Sequence, residues 1–337
     1  MRKVLFAALA LVAAPPATYA ADLGGNCCAD LEERIAELEA VAAKKGTRKV
    51  SLTISGQVNK AIASTSDEQY VIDNTSDESR VTFSGEARIS PSASAGFVLE
   101  LHTNYEGRFP DPTASGSIST RRSAVWVSID RVRVTAGLFD TATHELIDMT
   151  AANTSAAIKP INVLGLSATS GIADLVRADI TLIDGVVVSA SWAPSYVGGE
   201  DLFSIAVRGV TRGGGFKLLG GVGYDSLDGE DLISGSASVL HEATGLFVTG
   251  AAVKPSDADT AWHVTAGLER KPEEHGATTF YCEFGDWKDF GTGIIGTDEV
   301  WGLGVVQAID AAATDLYVSY RNYDDEDIFL AGARVKF

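Results

Sequence analysis

From Arg48 onward the chain keeps a two-residue period almost to its last residue, and nothing else in the sequence restricts the fold as much. Val50, Leu52, Ile54, Gly56 and Val58 alternate with Ser51, Thr53, Ser55, Gln57 and Asn59. Further on, Val81, Phe83, Gly85, Ala87 and Ile89 alternate with Arg80, Thr82, Ser84, Glu86 and Arg88. At the end, Phe329, Ala331, Ala333, Val335 and Phe337 share one face, while Leu330, Gly332, Arg334 and Lys336 share the other. Successive side chains of a strand point to opposite faces, so each segment reads as a strand with one apolar and one mostly polar face.

One such strand suits any half-exposed sheet. Repetition separates the cases. Sixteen segments follow one another, beginning with 48–63, 78–91, 94–106, 119–130 and 131–139 and closing with 298–309, 313–323 and 326–337. Most approach the roughly 9–11 residues a tilted strand needs to cross a bilayer. An even number, with the apolar row outward and the polar row inward, is what a lipid-embedded, water-filled barrel requires. The expected fold is all-β: a 16-stranded antiparallel transmembrane β-barrel over 47–337, its final strand closing the ring against the first. Tight links at 130–131, 183–185 and 212–214 and longer polar links at 64–77, 107–118 and 289–297 point to an asymmetric embedding. Aromatic residues near strand ends, among them Trp126, Trp192, Tyr224, Trp262, Trp301, Tyr320 and Tyr323, fit interfacial girdles.

The first residues have a different character. Arg2 and Lys3, the apolar run Val4–Ala14 and the small residues Ala17–Ala20 read as a secretory signal over 1–20. Its loss would take the net charge from −18 to −20, an acidity that argues against nucleic acid as a partner. Residues 21–46 read as a periplasmic helical segment. Within it Cys28, Leu31, Ile35, Leu38 and Ala42 recur at steps of three and four, a coiled-coil seam that ends at Gly46. About four turns are marginal alone. The helix is expected either to bundle subunits or to lie on the barrel mouth, and through 27–45 it can also touch the periplasmic envelope. Three cysteines are too few for a disulfide scaffold.

The longest break in the period falls at about 140–170, after the segment Arg131–Phe139. A long structureless stretch in a compact domain is usually functional. Folded into the lumen, it would bring the acidic residues Asp140, Glu145 and Asp148 to a constriction. Left outside, it would be a solvated surface. The inward rows supply the opposing charge: Arg80, Arg88, Arg133, Arg321 and Arg334 are the candidate basic wall. Rings of charged side chains are a recurrent device for selecting ions. No Gly-x-Ser-x-Gly elbow and no metal-ligand spacing of Cys and His occurs in the sequence, so neither an enzyme, a metal nor a cofactor is expected.

The stretch Cys27–Ala40, followed by Lys45–Asn59, resembles the opening of alphaproteobacterial outer-membrane porins of the rhizobial type, and Gly137–Thr143 resembles their entry into a constriction loop. The resemblance implies a homotrimer of 16-stranded barrels in the outer membrane, among lipid and lipopolysaccharide, with the third loop folded inward. It also implies passive diffusion of small hydrophilic solutes and ions. A solute-specific channel and a structural barrel that tethers the envelope fit the same residues. Ala61–Asp67 departs from the family, which usually carries an aromatic and acidic run there.

Overall fold

A computed structural model describes residues 50–337 except 67–68, 75–76, 105–116, 145, 158–170, 228, 258, 272–274, 287–298 and 324–325. The signal, the helical segment 21–46 and its seam residues Leu31, Ile35 and Leu38 lie outside the described residues. Among the described residues seventeen strands form one antiparallel sheet: β1 (Ser51–Ser64), β2 (Gln69–Asp73), β3 (Arg80–Ser90), β4 (Ala93–Asn104), β5 (Ser117–Ile129), β6 (Val132–Asp140), β7 (Ile172–Ile183), β8 (Val186–Val197), β9 (Glu200–Gly213), β10 (Phe216–Leu227), β11 (Glu230–His241), β12 (Leu246–Pro255), β13 (Ala261–Arg270), β14 (Thr278–Asp286), β15 (Glu299–Ile309), β16 (Thr314–Tyr323) and β17 (Glu326–Lys336).

Apart from β2 and β3, each strand pairs with its neighbours in sequence, and β1 pairs with β17 from Gln57↔Lys336 to Ser64↔Phe329. The ring is therefore closed. β2 and β3 both pair with β1, over Lys60–Ser64 and Ser51–Gln57 respectively, and together take one place in the wall. The barrel thus has the sixteen strands that the period implies. Part of the link expected at 64–77 is strand. Between β2 and β3 the Gln57 and Asn59 side chains donate to the carbonyl of Asp77. At the seam, Gly56 and Phe337 exchange backbone hydrogen bonds of 2.9 and 3.1 Å.

The outward row is apolar and exposed: Leu52, Ile54, Val58 and Ile62 on β1, Val125, Val127 and Ile129 on β5, Phe280 and Phe284 on β14. In water such a surface would be an aggregation hazard, whereas against lipid it is the stable arrangement. Trp192, Tyr224, Trp262, Trp301 and Tyr320 belong to this row, with Trp262 beside Phe284 and Trp301 beside Tyr320 at ring-centroid distances of 5.5 and 5.3 Å. Trp126 and Tyr323 do not. Both take the inward parity, Trp126 beneath the Arg133 guanidinium and Tyr323 buried.

One end of the barrel has mostly short links, for example Asp184-Gly185 and Gly214-Gly215. The other carries the long links and also three tight hairpins, β8–β9, β10–β11 and β16–β17. The asymmetry read from the sequence is therefore partial. At β8–β9 both turn residues, Gly198 and Gly199, have positive φ (64° and 93°), the form that matches strand twist. The three hairpins share a device. Each second strand opens Glu-Asp, followed by two apolar residues. The aspartate accepts from an aromatic residue of the first strand: Trp192 Nε1 to Asp201 at 3.0 Å, Tyr224 OH to Asp231 at 2.6 Å and Tyr320 OH to Asp327 at 2.6 Å.

Candidate functional site

The β6–β7 connection is the only long link whose first half is described, and its path defines the lumen. Thr143 Oγ1 donates to Asp225 on β10 at 2.7 Å. The backbone N–H of Ala142 donates to Ser191 on β8 at 2.9 Å. A short 3-10 turn, Leu146–Asp148, buries Leu146 and Ile147, and the Leu146 carbonyl accepts from Ser236 on β11. The chain then passes Ser238 on β11, reached by the N–H of Ala151 at 2.8 Å, and Lys217 on β10, which donates to the Ala151 carbonyl at 2.8 Å. Asn153 bridges Glu269 on β13 and Asp315 on β16 at 2.7 and 3.2 Å. Ser155 meets Arg334 on β17 at 3.2 Å, and the Ala156 carbonyl accepts from Asn59 on β1 and from Asn74. A segment this short can touch β8, β10 to β13, β16, β17 and β1 only from inside the ring. Every wall residue that it hydrogen-bonds belongs to the inward row.

Small residues make this lining thin. Ala151, Ala152, Ala156 and Ala157 are buried in an apolar cluster with Phe247, Val306, Tyr317 and Leu330. The lined half of the wall, β10–β17 with β1, is thus packed like a core.

The opposite half, β3–β9, carries arginines. On β5 the pairing with β4 slips by one residue at Glu100/Leu101. This bulge turns the adjacent Arg121 and Arg122 toward the same carboxylate, Glu100, at 2.5 and 3.5 Å. Arg122 also holds Asp140 at 2.6 Å, and His144 Nε2 lies 3.3 Å from Arg121 and 3.6 Å from Asp140. Arg80 pairs with Asp77 at 2.8 Å and approaches Glu100 at 3.9 Å. On β7 Arg177 forks onto Asp179 and donates to the carbonyls of Asp140 and Thr141 at 3.2 and 2.9 Å, clamping the root of the loop. Arg208 on β9 completes the row, 3.7 Å from Asp179.

A closed barrel with an inward loop and an arginine wall is an architecture that comparison can place. The family model described as Gram-negative porin matches residues 7–328. The chain belongs to that family. It is an outer-membrane porin, a channel in a transmembrane β-barrel. Among solved structures, variants of the Rhodopseudomonas blastica porin superpose with a TM-score of 0.61 at 15% identity, over 85% of this chain and 100% of theirs. A loop-deletion variant of OmpT, an outer membrane protein of Vibrio cholerae, gives 0.59 at 12% identity over 86% of this chain and 100% of its own. At these identities the likeness is one of fold. A comparison with curated protein sequences gives no match.

Within this porin the residues named from sequence fall in different places. Asp140 ends β6, buried within the arginine cluster. Asp148 sits on the 3-10 turn of the loop, half-buried, and Glu145 lies outside the described residues. Arg80 stands in the arginine row. Arg88 and Arg133 are exposed on the inward face near the short-turn end, Arg133 with its guanidinium 4.2 Å from the Trp126 ring. Arg321 is buried at 2.7 Å from Glu283, which also holds His263 at 3.0 Å. Arg334 is buried between Asp315, at 2.7 Å, and Asp77. Arg121, Arg122, Arg177 and Arg208 were not singled out from sequence. The one visible signal was the Arg121-Arg122 doublet, which breaks the period inside a strand and so marks a bulge.

Proposed function

We propose that this porin passes small hydrophilic solutes and ions by passive diffusion, and that the narrowest section lies between residues 140–157 and the arginine row of β3–β9. The observation that carries this reading is the unequal lining of the lumen. The loop lies on one half of the wall, while Arg80, Arg121, Arg122 and Arg208 stay partly exposed on the other. Fixed charge at a narrow opening favours hydrated, polar solutes and sets a sign preference. Asp140 tempers the arginines at close range, and Glu145 and Asp148 supply acid from the loop side.

The working unit in this reading is a homotrimer. Support comes from the exterior: Lys60 stands in the outward row between Val58 and Ile62 and pairs with Asp73 at 2.7 Å, and Asp73 also accepts from Thr103. A lysine facing lipid costs up to about 2–4 kcal/mol, depending on its depth. A second subunit over β1–β4 would take it out of lipid.

The test is current through a planar bilayer under a salt gradient. Open steps in groups of three are expected, and neutralising Glu145 and Asp148 together should move the reversal potential toward anions. A folded barrel without steps would mean a structural protein. An unchanged reversal potential in the double variant would remove the loop carboxylates from the narrow section.

A further inference from the structure

The loop is held to its wall by hydrogen bonds, but its distance from the wall is fixed by packing at one place. On β10 the inward row reads Lys217, Leu219, Gly221, Gly223 and Asp225. Leu146, wholly buried like its neighbour Ile147, lies over the two glycines. A Cβ on Gly221 would come within 2.6 Å of Leu146 Cδ2, and one on Gly223 would collide with Leu146 Cδ1 and come within 2.7 Å of Thr143 Cγ2. Neither glycine has positive φ, so the backbone does not require glycine there. At Gly223 the requirement comes chiefly from the loop, through Leu146 and Thr143, with the Ile205 carbonyl at 3.0 Å; at Gly221 the Val207 carbonyl, at 2.9 Å, shares it with Leu146.

The surroundings leave Leu146 no lateral escape. Thr143, three residues earlier, is tied to Asp225, and the Leu146 carbonyl is tied to Ser236 on the next strand. Ala206 on β9 and Ala142 pack beside it. Pushing Leu146 off the wall must therefore carry the whole 3-10 turn toward the lumen.

We infer that Gly221 and Gly223 are aperture-setting residues: the recess they leave determines how far the 3-10 turn, with Asp148 on it, protrudes into the channel. The inference rests on the proposed position of the narrow section. It assigns the size limit to the wall as well as to the loop. A chain with a larger residue at 223 and the same loop sequence would have a narrower channel.

The experiment uses the full-length protein refolded in detergent and inserted into planar bilayers. Gly223→Val should reduce single-channel conductance by about 30% or more, because a close-packed site transmits even a methylene of added volume. It should also lower the size of the largest sugar that permeates liposomes. The double variant Gly223→Val with Leu146→Ala should recover most of the lost conductance, since the space demanded by valine is returned. A folded Gly223→Val barrel with unchanged conductance would overturn the inference, and so would a loss that Leu146→Ala fails to relieve. If Gly223→Val does not fold, Gly223→Ala with and without Leu146→Ala makes the same comparison with a smaller step. Asp148→Lys separates the two readings. If it changes the reversal potential while Gly223→Val is silent, only the recess is wrong. If neither has an effect, the narrow section lies elsewhere.

Discussion

The two halves of the inner wall use the same residue type for opposite ends. On the lined half, Arg334 and Arg321 are buried, each fixed by carboxylates, and Arg334 also receives the loop through Ser155. On the open half, Arg80 and Arg208 keep part of their surface toward the lumen and share their carboxylates with other arginines. A buried arginine held by buried carboxylates is a structural pin, because removing it leaves buried charge short of a partner. An arginine in a shared, partly solvated network can be removed with little structural cost and still shapes the field. The strand period gives both the same inward direction. What distinguishes them is what lies on top.

That contrast can be broken by substitution. The largest effect is expected from Arg334→Leu, which removes the buried cation between Asp77 and Asp315 and leaves Asp77 to Arg80 and Asp315 to Lys336 and Asn153. It should cost about 3–5 kcal/mol, read as a lower urea midpoint for the refolded barrel. Next comes Arg177→Met, at the junction of the halves. Losing the clamp on the Asp140 and Thr141 carbonyls should destabilise by about 2–3 kcal/mol and make open-channel current noisier, because the loop root is released. Smallest in stability is Arg80→Gln with Arg208→Gln. Asp77 keeps Arg334, Glu100 keeps Arg121, and Asp179 keeps Arg177, so the urea midpoint should move by no more than about 1 kcal/mol. The reversal potential should nevertheless shift toward cations. A double variant as unstable as Arg334→Leu would erase the distinction between the halves.

Much of this was legible in the sequence. A period of two leaves little freedom, so strand number, inward parity and ring closure followed from it. The break in the period marked where in the chain the loop falls, while leaving open whether it folds into the lumen. Depth did not. Arg88 and Arg133 share the parity of Arg80 but stand near the short-turn end, a matter of strand stagger and tilt that one sequence does not encode locally. The pins Arg321 and Arg334 depend on partners one or more strands away: Glu283 reaches Arg321 across β15, and Asp77 reaches Arg334 across β1. Gly302, between Glu283 and Arg321 in the register, leaves the gap they meet in. Arg121 and Arg122 were hidden because a bulge reverses parity. The three Glu-Asp hairpins are a repeat of four residues, too short to notice without the aromatic partner across the turn.

The seam between β1 and β17 also has a consequence in time. Every other pairing joins strands near in sequence and can form as the chain emerges. The closing pairing joins residues 57–64 to 329–336, and its last bonds link Gly56 to Phe337. Until β17 is in place, β1 and the growing sheet each present an unpaired edge, a template for pairing with the wrong chain. Bringing such distant ends together carries the largest loop-closure entropy in the molecule. Maturation of this barrel is therefore gated at one hydrogen-bonded seam, and an intermediate stalled just before it would hold nearly all of its strands yet still be open to lipid and to its neighbours.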